Sequence, residues 1–291
     1  MSSSPSNITN STIDSAIKKS VCICVDDYGL YPSINQAVIR LIELKRINAV
    51  SCLVGASAWG SWAPALMTAA KDTVDIGLHL DFIECSIDPK NRQSIAALIL
   101  KSHSGLLNPT AVRNEIRTQL DRFETLFDRA PTFVDGHLHV HQFPIIRSEL
   151  MIEIKRRYAD NKPWIRSTRS APRNQPHGLS WKQKIKPFVI QNTGSSQLLS
   201  LLTHQGYRHN QDFSGIYDFG VGGLTFANYL HHWLQQIAHG GLMMTHPSTG
   251  VDSADPASKS RHAEFKVMSS PQFDQWVSQS AVELKAMSQI I

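Results

Sequence analysis

The chain has 291 residues, of which 42% are hydrophobic and 18% charged, a balance that suits one soluble globular domain with a substantial core. No segment has the roughly 18 continuous apolar residues of a membrane helix, so no membrane partner is expected. The net charge is +5, and the excess is local, because residues 151–190 hold ten Lys or Arg against two acidic residues.

Residues 1–20 are polar with no apolar core, and read as a flexible leader, neither signal peptide nor anchor. A cytoplasmic protein with one domain over residues 21–291 is expected. Val21 to Val25 is apolar on both faces, as a buried parallel strand should be, and ends in Asp26-Asp27-Tyr28-Gly29. Ile34 to Leu44 has helical spacing. Ala49 to Val54 reads as a second strand, Trp62 to Ala70 as a helix, and Val74 to Leu80 as a third strand. Ala111 to Phe127 places Ile116, Leu120, Phe123 and Phe127 three and four apart, a helix. Thr132 to His137 is the next strand and Ile145 to Tyr158 the next helix. Ser170 to Gln211 is irregular, an excursion with one or two helices. Phe226 to Ile237 is helical, Gly241 to Thr245 a late strand, and Pro271 to Met287 the predicted closing helix. Cys22, Cys24, Cys52 and Cys85 lie in or beside apolar runs without a paired spacing, and read as buried free thiols.

This alternation of strands and helices argues for a parallel sheet, open or closed into a barrel, with chemistry at the carboxyl ends of its strands. Four predicted strands end in groups that bind metals or move protons. They are Asp26-Asp27, His79, the run from Asp135 through His137, His139 and His141, and His246 before Pro247. Each alone has a plainer reading. Paired Asp often cap helices or make turns, and a lone His is more often a satisfied core or surface residue. The HxHxH run is the strongest, since three imidazoles at period two would share a face if the strand continued. Carboxylate and neutral imidazole suit a divalent, zinc-like ion with a position left open for water. Adjacent carboxylates can divide metal holding from proton transfer. The basic stretch could attract nucleic acid or an anionic substrate. Without any nucleic-acid motif it reads as a solvated face around a loop, and no nucleic-acid partner is expected.

These residues resemble the YdjC-like carbohydrate deacetylases, the family of the bacterial chitooligosaccharide deacetylases. The resemblance runs from about Val21 to the end. It rests on Val25-Asp26-Asp27-Tyr28-Gly29-Leu30, with Tyr28 where Phe is usual, and on Ile76-Gly77-Leu78-His79-Leu80. It continues through Gln119 to Phe127 and Val134 to His141, then Ile165-Arg166, Phe213 to Tyr217, Thr245-His246-Pro247, and the tail with Asp255, Arg261 and Glu264. Ser248 stands where many members have Gly, and residues 167–190 look divergent.

The resemblance implies a distorted, TIM-like (β/α) barrel of the glycoside hydrolase/deacetylase type. Its metal-dependent reaction would remove the N-acetyl group from an acetylated amino sugar such as a chitooligosaccharide. One divalent ion, magnesium or zinc, would be held by Asp27, His79 and His137. Asp26 matches the general base, and His246 the general acid or the group that steadies developing charge. Asp135 is expected to orient a neighbouring histidine or Arg166, while His139 and His141 stay open between substrate contact and support. The alternatives are a barrel metallohydrolase acting on a phosphoester or cyclic amide, or an inactive sugar-binding relative. A homodimer also stays open.

Overall fold

The computed structural model describes residues 18–176 and 191–291. Most of the polar leader, and the most basic part of the excursion, lie outside the described residues. Strand β1 (Lys19–Tyr28) is buried almost throughout and begins two residues before the predicted strand. It is followed by α1 (Pro32–Glu43), β2 (Ala49–Cys52), α2 (Trp59–Ala70) and β3 (Asp75–Leu80). Next come α3 (Ile95–His103), α4 (Pro109–Phe127), β4 (Phe133–Gly136), α5 (Pro144–Arg157) and β5 (Trp164–Ile165). The chain ends with α6 (Ser196–His204), β6 (Asp212–Ser214), α7 (Gly223–Gln236), β7 (Gly241–Thr245), α8 (Ser258–Met268), α9 (Pro271–Gln279) and β8 (Val282–Leu284).

The strands run in the order β5-β4-β3-β2-β1-β7-β6, all parallel, with β8 added beside the start of β1. The sheet curls into a distorted (β/α) barrel. Among the described residues no strand ladder joins β5 to β6. The gap is bridged instead by Ile165 N–H donating to Arg208 O (3.0 Å) and by the Asn210 amide, which pairs with both the N–H and the C=O of Ser167.

Strand parity sorts the side chains. Val21, Ile23 and Val25 join the core between sheet and helices, whereas Cys22 and Cys24 pack inside the barrel with Ala49, Phe133, Trp164 and Leu242. Inner parity then continues upward into polar residues, because Asp26 follows Cys24, Ser51 follows Ala49, and Asp135 follows Phe133. The barrel is thus apolar below and charged at the carboxyl end. Gly77 makes room for this packing, since a Cβ there would meet the Phe133 ring at 2.5 Å. That ring stacks on Trp164 with centroids 4.2 Å apart. All four cysteines are buried and free, as their apolar surroundings imply.

The predicted closing helix is corrected. Helix α9 stops at Gln279, Ala281 takes a left-handed φ of 49°, and Val282–Leu284 pairs with Lys19–Val21. Burial of Val282 under the barrel outweighs the helical spacing of the surrounding sequence. The short strands β5 and β6 and helices α3 and α8 had no clear sequence signal. Much of the basic excess in residues 151–176 is neutralised within the fold. Arg156 and Arg157 pair with Glu153, Arg157 also with Asp121 and Glu124, and Arg173 with Asp212. Among the described residues no helix is long and apolar enough to cross a membrane.

Candidate active site

A cavity of about 390 Å³ opens at the carboxyl end of the strands, and Asp26, Asp27, His79, His137 and His246 all line it. Asp26 reaches it by strand parity. Asp27 should point the opposite way, but its φ of 67°, at a register irregularity within β1, turns its carboxylate to the same mouth. His79 and Asp135 are register partners on β3 and β4. The end of β3 is held by Gln119, whose amide accepts from Asp81 N–H (3.0 Å) and donates to Asp81 O (2.7 Å).

His79 Nδ1 lies 2.6 Å from Asp135 Oδ1, and Ser51 Oγ donates to the same oxygen (2.5 Å). This contact puts the His79 proton on Nδ1 and leaves Nε2 facing Asp27 Oδ1 at 3.4 Å. His137 Nδ1 stands 2.9 Å from that same Asp27 oxygen. One ligand atom from each of the three residues lies within 4.8 Å of the others, and all three residues are buried. With metal–ligand bonds near 2.0–2.1 Å, a tetrahedral site has donor–donor edges of about 3.3 Å, so the set fits a divalent ion. The charges agree. Burial would raise the Asp27 carboxyl, but Arg261 and His137 outweigh it and hold it well below the usual carboxylate range. Burial would lower His79, yet Asp135 and Asp26 push it up to about 10. The floor therefore sets imidazole protons against carboxylates, and a divalent ion can take the place of those protons.

A second buried group, Cys24, Asp26 and Asp135, has metal-like spacing but already encloses a cation. Arg166 donates to both oxygens of Asp26 (2.7 and 2.6 Å), lies 2.6 Å from Asp135 Oδ2, and contacts Cys24 Sγ at 3.0 Å. Arg166 is fully buried and does not line the cavity, so it positions Asp26 from beneath. His246 Nε2 and His79 Nε2 are each 3.9 Å from Asp26 Oδ2.

The HxHxH run does not continue the strand. It breaks at Gly136 into a tight turn, with Leu138 at φ 49° and His139 at φ 62°. The period-two expectation fails for that reason. His137 and His139 line the cavity, while His141 turns away and donates Nε2–H to Arg166 O (3.0 Å). Burial, then Arg166, holds the His139 ring far below its ordinary value, and burial lowers His141 to about 4, so both rings are neutral.

Sequence reasoning left several site residues without a role. Arg261 donates to Asp27 Oδ2 (2.6 Å) and pairs with Asp255 (3.0 Å), fixing the carboxylate that His79 and His137 face. Glu264, one turn along α8, accepts from Tyr217 Oη–H and from His246 N–H (2.6 Å). The spacing of Arg261 and Glu264 was visible, but nothing marked α8 as packing under the mouth. Ser51 gave no signal, being one polar residue in an apolar strand.

Burial raises Glu264 to about 7 from an ordinary 4.5. A carboxyl whose folded pKa is raised binds more protons folded than unfolded. Its contribution is therefore complete below about pH 4.5 and is lost as pH rises through about 7. Urea unfolding of the metal-free protein at pH 5 and pH 8 should show about 3 kcal/mol more loss in the parent than in Glu264→Gln. Equal pH dependence in the two proteins would remove this assignment.

The fold and its mouth define a (β/α)-barrel protein whose floor combines a cation-ready donor set with a carboxylate and an imidazole 3.9 Å apart. The model of the YdjC-like protein family matches residues 20–279, and the chain belongs to that family. It is 24% identical over an alignment 301 residues long to the carbohydrate deacetylase of Mus musculus, covering 92% of this chain and 94% of that one. It is 26% identical over 137 residues to the chitooligosaccharide deacetylase of Serratia marcescens, covering 45% of this chain and 53% of that one. A solved structure from Enterococcus faecalis, named for cellobiose-phosphate cleavage, shares the fold. Its TM-score is 0.66 at 17% identity, with 94% of this chain and 98% of that one covered.

Proposed function

We propose that this chain is a metal-dependent hydrolase that removes the N-acetyl group from an acetylated amino sugar and releases acetate. The observation that carries the reading is the convergence of Asp26, Asp27, His79, His137 and His246 on one cavity floor. The names of the mouse and Serratia relatives support the same class.

In this reading Asp27, His79 and His137 hold one divalent ion, zinc or magnesium. When bound, the ion supplies Lewis-acid polarisation and lowers the pKa of water. Asp26 accepts the proton of the water that attacks the acetamide carbonyl. The new bond is carbon to oxygen, and the bond that breaks is carbon to nitrogen. His246 donates a proton to the departing nitrogen, leaving acetate and a free amine. Arg166 keeps Asp26 aimed at the floor, and Arg261 keeps Asp27 there.

The test is acetate release from N-acetylglucosamine and its oligosaccharides, with and without a chelator. Chelator-sensitive release is the expected result, and metal analysis of the purified protein identifies the ion. No acetate from any member, with metal shown to be bound, would turn attention to phosphoester hydrolysis, read by phosphate release, or to binding alone.

A further inference from the structure

Resting on that reading, we propose that the part of the substrate seated beside the reacting amide is hydrocarbon, so that the substrate is an amphipathic N-acyl amino sugar. The cavity is divided. Its floor carries the charged set, whereas Ile95, Ile99, Leu138, Phe143, Phe219 and Met244 supply much of its wall. Among the described residues, most of the other polar side chains that line it are already engaged. Arg261 is held by Asp27 and Asp255. The Thr193 hydroxyl accepts from the Gln142 amide (2.9 Å). His139 is the exception, since its ring packs edge-on against Phe213, with centroids 5.8 Å apart, and its buried Nδ1 has no partner among the described residues.

A free oligosaccharide would bring hydroxyls to that wall, and a buried hydroxyl without a partner is costly. A hydrocarbon group leaves nothing unpaired and removes apolar surface from water. Two features build the wall. Helix α3 is inserted after β3, where Leu98 is fully buried and Ile95 and Ile99, one turn apart, line the cavity. Leu138 directly follows His137, holds a left-handed φ of 49° and remains 44% exposed. An exposed leucine held in that conformation at the edge of a site points to a contact made by the ligand.

The hydrocarbon can be joined at the glycosidic oxygen or extend from the amide, and two series of compounds distinguish these. One is the methyl, butyl, hexyl and octyl β-glycosides of N-acetylglucosamine. The other is the methyl glycoside of glucosamine carrying N-acetyl, N-butanoyl or N-hexanoyl groups. In one series kcat/KM should climb by up to about fourfold per methylene until the cavity is filled. A climb with alkyl length places the hydrocarbon at the glycosidic oxygen, and a climb with acyl length places it at the amide. Ile99→Ser and Leu138→Ser should each reduce the octyl-to-methyl ratio about tenfold, with Ile99→Leu restoring it.

Flat series, with acetate still released, would overturn the inference and leave the deacetylase reading standing. If no member releases acid, that reading fails, and calorimetry on chelator-treated protein decides the inference alone. Tighter binding of the octyl than of the methyl glycoside supports it, and equal affinity overturns it.

Discussion

Asp26→Asn is expected to lower turnover on an acetamido sugar by about 10³-fold while the protein still binds its divalent ion. The asparagine matches the carboxylate in shape but cannot take a proton from water. Asp26 Oδ2 lies 3.9 Å from both His79 Nε2 and His246 Nε2, between the donor set and the proposed acid. Its orientation is fixed because Arg166 donates to both of its oxygens. Asp27→Asn should behave differently, since Asp27 is the oxygen donor that both His79 and His137 face. That variant should lose metal affinity first, with part of its activity returning at high metal concentration. Single-turnover acetate release and metal titration on folded protein separate the two. Normal turnover by metal-loaded Asp26→Asn would remove Asp26 as the base.

Much of this site was legible because a parallel barrel converts strand ends into neighbours. Asp26 was marked by its place at the end of the first strand, and it lines the cavity because Cys22, Cys24 and Asp26 form a period-two inner face. Asp27 and His137 were marked as strand-end candidates, but their grouping with His79 as one ligand set came only through resemblance to relatives. Periodicity sends Asp27 to the outer face, and the φ of 67° that returns it is a backbone property with no local signature in Val-Asp-Asp-Tyr. The turn at Leu138 and His139 hid in the same way, since HLHVH alternates like a strand and nothing in it demands two left-handed residues. The supporting groups were harder still. Ser51, Arg261 and Glu264 act through contacts set by packing of elements distant in sequence. The apolar cavity wall belongs partly to α3, whose spacing is that of any short amphipathic helix. Strand β8 was misread because a few apolar residues after a helix look like more helix until a strand edge is available to bind them.

Arg166→Met is expected to destabilise the protein by about 3–5 kcal/mol at neutral pH, although Arg166 does not line the cavity. Its guanidinium is fully buried and lies within 2.7 Å of oxygens from both Asp26 and Asp135. Without it, His79 is the nearest balancing cation for two carboxylates that are both almost fully buried. The pH dependence identifies the cause. Burial alone would raise Asp135, but in the parent Arg166 and His79 outweigh it and hold the carboxyl well below its ordinary value. A depressed folded pKa contributes stability above the unfolded pKa and loses it only in strong acid. In Arg166→Met the balance at Asp135 tilts towards burial, so its carboxyl takes up a proton on folding. The variant should then lose stability as pH rises through the elevated value. Its deficit should therefore be smaller at pH 4.5 than at pH 7.5 in urea unfolding. Adding Asp135→Asn should recover part of the loss by removing one uncompensated charge, a coupling that a plain packing defect does not predict. A deficit that is the same at both pH values and unaffected by Asp135→Asn would mean that Arg166 acts through volume and not charge. The 2.6 Å ion pairs beneath the floor would then not be what holds Asp26 in place.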